Sequence, residues 1–481
     1  MARERELKLE LAPADAGRLA ALLAAQAMGP ARQRSLHAVY FDTDDARLAA
    51  AGLSLRLRQD LVDGQGGCIQ TMKADGERAR AGLFDRREWE RPVAGTEPVL
   101  AGRDAGTRAV RRALGKGSLH PVFTVTVDRQ IWLLRHAGAR IEAALDVGTV
   151  RAGTRDVALC ELELELQSGP AAALFALARA FDVRVPLRPG ALSKAQRGHA
   201  LLAPVLASDR AEPLQLARDA DADTALRAIV SACLNHYRRN EARLLAGGDG
   251  EALHQARVAL RRLRSALAIF RPLCGPMPAL ETGLRTLAAV LGRVRDLDVL
   301  VARAPAGPLR DRLLAARTAA LADAEACLQA PATRALLLDI VEWVSLGPAL
   351  PPMPAQEFAA AALDRWRRKV GKAGRSLAHG TDEDRHRLRK RTKKLRYAAE
   401  FMSGLFADAR ALVQFRKALE ALQDELGALN DLVTAEAVLR ALGQDDLPAA
   451  VALAGHARRQ AHIAAASKAH AALLAAPRFW R

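Results

Sequence analysis

Cysteine is scarce in this 481-residue chain: Cys68, Cys160, Cys233, Cys274 and Cys327 lie far apart with no CxxC pair, which argues against a disulfide framework and against a cysteine zinc site. Aromatic residues make up 4% of the sequence, leaving little material for a base-stacking surface. No uninterrupted apolar stretch reaches the roughly 20 residues that a bilayer-spanning helix needs. The amino terminus opens with Arg3, Glu4, Arg5 and Glu6 rather than with an apolar signal segment. These absences lead us to expect a protein of the reducing cytoplasm with no membrane partner. Acids are outnumbered as well: 72 Lys and Arg stand against 54 Asp and Glu, a net charge of +18. Such an excess draws in polyanions.

What is present divides into two grammars. Up to about residue 200, short stretches alternate in polarity: Glu4 to Leu11, Leu53 to Arg58, Arg86 to Glu90, Phe123 to Val127, Ile141 to Val147 and Cys160 to Leu166. Period-two patterning with Gly-rich turns, such as Asp63 to Gly67, predicts an antiparallel barrel or sandwich, with helices over Pro13 to Ala27 and Pro170 to Phe181. From about 215 onward Ala, Leu and Arg dominate and long amphipathic helices follow one another. We therefore expect an α+β amino-terminal region built on an antiparallel β-barrel, then an all-α region. The boundaries read as 1–203 for the first domain, 204–218 for a linker and 219–481 for the second.

The helical part repeats itself. His254-x-x-Arg257-x-x-x-Arg261-Arg262-Leu263-Arg264 is matched by His386-x-x-Arg389-x-x-x-Lys393-Lys394-Leu395-Arg396, and Leu291-Gly292-x-x-x-Asp296-Leu297 by Leu426-Gly427-x-x-x-Asp431-Leu432. Prolines 348, 351, 352 and 354 separate the copies, placed at about 219–346 and 356–481. At about 100° per residue, His254, Arg257, Arg261 and Arg264 share one side of a helix, with Arg262 at its edge. His386, Arg389, Lys393 and Arg396 do the same, next to Lys394. From Arg385 to Tyr397 there are eight Lys or Arg and no acid. A solvated face usually intersperses acids that pair with these bases; without them, each helix repels itself until an anion arrives. Neither histidine has a metal-binding partner four residues on, so a hydrogen bond to phosphate suits them better. Asp296, Asp298 and Asp431 are expected to order the basic side chains rather than to hold a metal.

In the first half, Glu4-x-Glu6-x-Lys8 places two carboxylates and an ammonium on one face of a strand. Arg56 with Arg58, Arg86 with Glu88 and Glu90, and Glu161 with Glu163 and Glu165 repeat the habit, and Lys73, Arg129, Glu142, Asp146, Lys194 and Arg197 add single charges. A sheet with a charged outer face would also explain the pattern. It leaves the leucines of Leu162-Glu163-Leu164-Glu165-Leu166 to be buried elsewhere, whereas a charged bore wrapped by helices satisfies both faces. Basic groups in such a bore suit phosphate oxygens, and carboxylates suit a hard cation.

These residues resemble the CYTH family, the triphosphate tunnel metalloenzymes. The ExExK opening is followed in order by Leu55-Arg56-Leu57-Arg58, Thr71-Met72-Lys73, Arg86-x-Glu88, Arg129-x-x-Trp132, Ile141-Glu142-x-x-Leu145-Asp146-x-Gly148, Glu161 to Leu166 and Leu192-Ser193-Lys194-x-x-Arg197-Gly198. The resemblance implies an eight-stranded triphosphate tunnel. Glu4, Glu6, Glu163 and Glu165 would hold Mg²⁺ or Mn²⁺, and Lys8, Arg56, Arg58, Lys73, Arg86, Arg129, Lys194 and Arg197 would grip phosphates. Glu4, Glu6, Lys8, Glu88 and Glu165 would form the catalytic set, with Glu88, Glu90 and Glu165 all candidates to orient the attacking water. The second half resembles the CHAD family through His254 to Arg264, Leu291 to Asp298 and His386 to Arg396. That implies two four-helix bundles with a basic groove for inorganic polyphosphate. The order matches a CYTH–CHAD fusion. The expectation is an inorganic triphosphatase that splits tripolyphosphate into pyrophosphate and phosphate and carries a module for long-chain polyphosphate, near or on polyphosphate granules. The alternatives are a tunnel acting on ATP or thiamine triphosphate, a non-catalytic polyphosphate scaffold, and nucleic-acid binding by the basic helices. Oligomeric state is left open.

Overall fold

The structure is a computed structural model that describes residues 3–60, 68–74, 83–202, 210–248, 250–443 and 458–481, so the expected turn at 63–67 and the start of the expected linker lie outside it. The chain forms two compact units. The first comprises residues 1–208 together with 330–347, and the second 209–329 together with 348–481.

The first unit is built on strands β1 (Arg3–Glu10), β2 (Arg32–Asp42), β3 (Leu53–Asp60), β4 (Cys68–Ala74), β5 (Leu83–Val93), β6 (His120–His136), β7 (Ala139–Ala152), β8 (Arg155–Ser168) and β9 (Arg188–Pro189). They pair in the order β5-β4-β3-β2-β6-β7-β8-β1-β9. Strand β1 pairs with β8 over Glu6–Glu10 and also with β5 over Arg3–Leu7, so the eight-strand ladder returns on itself. The alternating stretches read from the sequence are the middles of much longer strands: β6 runs for 17 residues and β7 and β8 for 14 each. Their ends escape notice because the burial of side chains there no longer follows a strict period of two. A two-residue turn with positive φ at Ala137 and Gly138 joins β6 to β7, the geometry that matches the twist of a hairpin.

Helices α1 (Ala16–Gln26), α2 (Arg47–Ala50), α3 (Ala105–Leu114), α4 (Ala172–Asp182) and α5 (Lys194–Leu202) belong to this unit. The leucines between the charges find their cover here. Leu7, Leu162 and Leu164 are fully buried, and α4 lies against β1 and β8. On another side Phe41, Leu55, Leu57 and Met72 pack with Leu48 of α2 and Val110 of α3. With the apolar face sealed outside, the alternate residues are left to the bore.

The second unit is all helical: α6 (Ala222–Leu245), α7 (Gly250–Cys274), α8 (Pro278–Arg303) and α9 (Pro308–Gln329) form one four-helix bundle. After α10 (Pro331–Leu346), which belongs to the first unit, α11 (Ala355–Gly374), α12 (Asp382–Met402), α13 (Ala409–Ala441) and α14 (Arg459–Ala475) form another. Equivalent helices meet across the two bundles, α6 with α11, α7 with α12 and α8 with α13. The starts of α6 and α11 are cross-linked by a backbone bridge, in which Ala222 donates to the Met353 carbonyl and Ala355 to the Ala220 carbonyl, both at 2.9 Å. The sequence repeat is thus a pseudo-twofold. None of the described helices is long and apolar enough to cross a membrane.

Two glycines from the sequence motifs are required by space. A Cβ on Gly148 would lie 2.0 Å from the Thr126 carbonyl, and one on Gly198 would lie 2.2 Å from the Phe123 ring. Gly198→Ala must push α5 off Phe123, a cost of about 1–3 kcal/mol for overpacking. A lowered melting temperature is expected in a thermal scan; an unchanged melt would mean that the ring yields freely.

Candidate functional site

The bore of the first unit holds a cavity of about 330 Å³ whose wall is largely charged. Strand register builds it. Glu6 and Lys8 on β1 sit opposite Glu165 and Glu163 on β8, Lys73 on β4 sits opposite Glu88 on β5, and Arg129 on β6 sits opposite Asp146 on β7. Lys8, Arg56, Arg58, Lys73, Arg129, Lys194, Glu6, Glu88, Glu163 and Glu165 all line the cavity. The side chains of Glu4 and Arg86 lie outside the described residues. Arg197 does not line the cavity; it pairs with Glu10.

The deepest part is a lattice of alternating charge. Asp146, Glu161 and Glu163 are buried with their oxygens within 4.8 Å of one another. Lys194 reaches Asp146 at 2.7 Å and Glu163 at 2.9 Å and also pairs with Glu161. Arg129 binds Asp146 through two bonds of 2.6 Å and Glu163 through a third. Lys8 pairs with Glu163 and lies 3.0 Å from Glu6. Burial disfavours each charge, but the partners more than offset it. Lys8 and Lys194 are raised above the ordinary lysine value, while Asp146 and Glu163 are held below the ordinary carboxylate range. The lysines therefore contribute stability that is fully present below about pH 10.4 and lost as pH rises through their raised values. The acids contribute stability present above about pH 4 and lost as pH falls through their lowered values.

Carboxylates are the oxygen donors that a hard divalent cation such as Mg²⁺ or Mn²⁺ takes, and two groups of them are present. Asp146, Glu161 and Glu163 lie close enough to one another to hold an ion, and Lys8, Arg129 and Lys194 already meet them. Glu6 is opposite Glu165 across β1 and β8, and Glu142 on β7 is opposite Glu165; Glu6 also meets Lys8 at 3.0 Å, and Glu142 meets Arg32 at 2.9 Å.

On the other side of the cavity the cations are in excess. Arg58 meets Glu90 at 3.2 Å, and Lys73 meets Glu88 at 3.0 Å. Arg56 donates to the Tyr40 hydroxyl at 3.3 Å, a neutral partner, and its Nε is shut away from solvent with no partner among the described residues. Burial together with Arg56 lowers the Arg58 pKa. The Tyr40 hydroxyl would be raised by burial, but Arg56, Lys194 and Lys73 bring it down. Sequence reading missed Tyr40, Arg32 and Arg34, which also line the cavity. The signal was there, because Arg32, Arg34, Leu36, Ala38 and Tyr40 are alternate residues of one strand.

In the second unit the two basic motifs face each other on α7 and α12. Arg257 donates to the Gly292 carbonyl at 2.5 Å and lies 3.5 Å from Asp296; Arg317 reaches Asp298 at 2.6 Å. The acids of the Leu-Gly motif thus hold arginines. Burial together with Arg261, Arg389 and Arg396, only partly offset by Asp431, pushes the Lys393 amine down to about 6. Arg264 and Lys394 feel each other's charge, and Lys394 lies 5.0 Å from the Trp366 ring centre. His386 is hydrogen-bonded to Asn430 at 2.9 Å; burial and Arg295 lower the His254 pKa. Arg262 departs from the expectation. It is 4% exposed, turned inward over Phe401 and 3.1 Å from Glu400, because its position on α7 lies one residue past the basic stripe.

A lysine that resists its own charge is a stability defect. Lys393→Met is expected to raise the melting temperature in the absence of polyanion. The gain should be greatest below about pH 6 and fade as pH climbs toward about 10.4, where an unfolded lysine also loses its proton. A melt that falls instead would place Lys393 in a stabilising contact.

Comparison with known proteins bears on both sites. The CYTH domain family model matches residues 2–199 and the CHAD domain model residues 228–440. A curated inorganic triphosphatase of Haemophilus influenzae is 29% identical over 201 residues, 42% of this chain and 55% of its own. The chain thus spans about half the length of that relative. The crystal structure of the CHAD domain from the plant Ricinus communis is 34% identical, covering 57% of this chain and 98% of its own, with a TM-score of 0.49. A putative adenylyl cyclase from Hippeastrum, described as having a dominant triphosphatase activity, is 18% identical over 42% of this chain and 98% of its own, with a TM-score of 0.32.

Proposed function

Because the chain belongs to the CYTH–CHAD fusions, with both domains in that order, we propose that it is a metal-dependent inorganic triphosphatase whose helical half binds inorganic polyphosphate. The observation that carries the reading is Arg56, a guanidinium in a charged cavity whose hydrogen-bond partner is a phenol and whose Nε is unmatched. Such a group is a receptor for an oxyanion.

In this reading Arg56, Arg58, Lys73 and Arg129 hold the phosphate chain of tripolyphosphate, and Lys8 and Lys194 extend the row. Glu6, Glu163 and Glu165, with Glu4, would hold Mg²⁺ or Mn²⁺, which when bound would neutralise charge on phosphate oxygens. A water adds to the terminal phosphorus as the bond to the bridging oxygen breaks, giving phosphate and pyrophosphate. Glu88, Glu90 and Glu165 are the candidates to orient that water and to take up the proton it gives up. Little covalent work falls to the protein, since fixed cations stabilise charge that a loose transition state spreads over the oxygens.

Phosphate release from tripolyphosphate is expected with Mg²⁺ or Mn²⁺ and to stop with chelator. Removing one such charge-stabilising donor costs on the order of a hundredfold, so Arg56→Ala should lower kcat/KM by about that factor in a folded protein. Glu6→Gln should abolish turnover; unchanged hydrolysis would remove the catalytic assignment. Equal or faster turnover of ATP or thiamine triphosphate would reassign the substrate.

For the helical half, Arg257, Arg261, Arg389, Lys393 and Arg396 supply a cationic face short of acids, which a polyanion relieves of its own repulsion. Long-chain polyphosphate should displace DNA from the intact chain at physiological salt, and Arg261→Ala with Arg389→Ala should weaken that binding at least tenfold. DNA displacing polyphosphate would overturn this part.

A further inference from the structure

Helix α10 lies in the chain between α9 and α11 of the helical unit, yet it belongs to the strand-built unit. Its sequence explains the attachment. Leu336, Leu337, Leu338, Ile340, Val341 and Val344 are all buried, and a helix that is apolar on nearly every side requires cover all round. It packs against α4 and β9.

Its charges are placed as deliberately as its leucines. Arg334, 6% exposed, donates through Nε to Asp182 Oδ1 at 2.6 Å. The same oxygen accepts the Leu187 amide at 2.8 Å. One arginine thus pins both the end of α4 and the turn that leads into β9. At the rim, Arg179 of α4 binds Asp339 at 2.6 Å and Glu342 at 2.5 Å.

The pinned segment runs straight to the cavity. Strand β9 pairs with β1 through Pro189 with Leu9 and Arg188 with Glu10. The Gly190 amide donates to the Lys8 carbonyl at 2.8 Å, and the Ala191 amide to Glu10 Oε1 at 3.0 Å. Three residues on, Lys194 enters the lattice of Asp146, Glu161 and Glu163. The run from Asp182 to Lys194 has little regular structure of its own, so its course depends on what it is tied to.

We infer that α10 is a working part of the phosphate cavity, and that the Arg334–Asp182 ion pair is a positioning device that seats Lys194 and, through β1, Lys8. The inference rests on the triphosphatase reading for its kinetic readout but not for its binding readout. It implies that the catalytic half is completed by residues that the chain delivers well over a hundred positions later.

The test is a double-mutant cycle in the full chain between Arg334→Met, which keeps the apolar stem, and Lys194→Ala. In the wild-type background Arg334→Met should lower kcat/KM for tripolyphosphate about tenfold with a cooperative melt retained. In the Lys194→Ala background the same change should cost less than twofold, and Arg334→Lys should restore part of the loss. Positions that share one function couple in this way, while independent ones add. Equal fold-changes in both backgrounds, or no change in either, would overturn the inference. Should the chain not turn over tripolyphosphate, the same cycle read by calorimetric affinity for tripolyphosphate decides the coupling, so that loss of the enzymatic reading and loss of this one remain distinct. If Arg334→Met does not fold, Asp339→Asn with Glu342→Gln at the solvent rim takes its place in the cycle under the same criteria.

Discussion

Burying a positive charge is the constraint from which the first unit takes its shape. An ammonium removed from water loses several kcal/mol unless acids replace the solvent, and a cavity that is to take an anion, as proposed, cannot be neutralised too fully. The strand ring resolves this by depth. At the floor Lys8, Arg129 and Lys194 are locked to Asp146, Glu161 and Glu163, so that their charge is permanent and their positions fixed. Toward Arg56 the acids thin out, and the guanidinium leans on the Tyr40 phenol instead. The floor acts as a rigid foundation, and the less-matched wall is where an arriving anion gains most.

That gradient also gives a physical reason for a metal. A bare triphosphate entering the bore would meet Glu6, Glu88, Glu90 and Glu165 as well as the cations. Like charges at close range in a medium of low dielectric repel strongly. Glu6 and Glu165 are carboxylates that would hold a divalent cation, whose charge would offset that repulsion. Glu163 differs from Glu165 in that it pairs with Lys8, Lys194 and Arg129 while also belonging, with Asp146 and Glu161, to the buried group whose oxygens lie close enough to hold an ion.

How far the sequence reveals all this depends on whether a residue's role is set by its own strand or by something distant. The inward face of β1, β3 and β8 is legible because charge alternates with leucine over consecutive residues and both must be satisfied. The repeat of His254 to Arg264 in His386 to Arg396 reveals the paired helices for the same local reason. Tyr40 was harder, since the inward face of β2 passes from arginine through Leu36 and Ala38 before reaching it, and resembles ordinary core. Arg262 looks identical to Arg261 in one dimension; one step of about 100° turns it from the basic face to Phe401. Helix α10 was hidden altogether. Its apolar sequence fits the end of a helical bundle as well as it fits α4 and β9, and nothing in sixteen residues can say which surface they will cover.

The two halves hold cations in opposite ways, and the difference governs what a ligand would gain from each. In the bore, Lys8 and Lys194 are raised above ordinary lysine by their acids once the cost of burial has been overcome, so a ligand there meets charge already fixed and must compete with, or bridge to, the carboxylates that fix it. Selectivity would be the natural result, because a ligand has to satisfy those fixed carboxylates as well as the cations. Between α7 and α12, burial and Arg261, Arg389 and Arg396 bring Lys393 down to about 6. An anion laid along that face would restore the proton and cancel the repulsion together, so the protein would contribute stored repulsion rather than a shaped receptor. In the proposed reading such a surface would reward a long, dense run of negative charge, since its cations outnumber the acids beside them. Under the proposed function, holding long chains and cutting short ones would call for different electrostatics, and the two halves differ in that sense: the bore interleaves acids with its cations, whereas the face of α7 and α12 leaves Lys393 crowded by Arg261, Arg389 and Arg396.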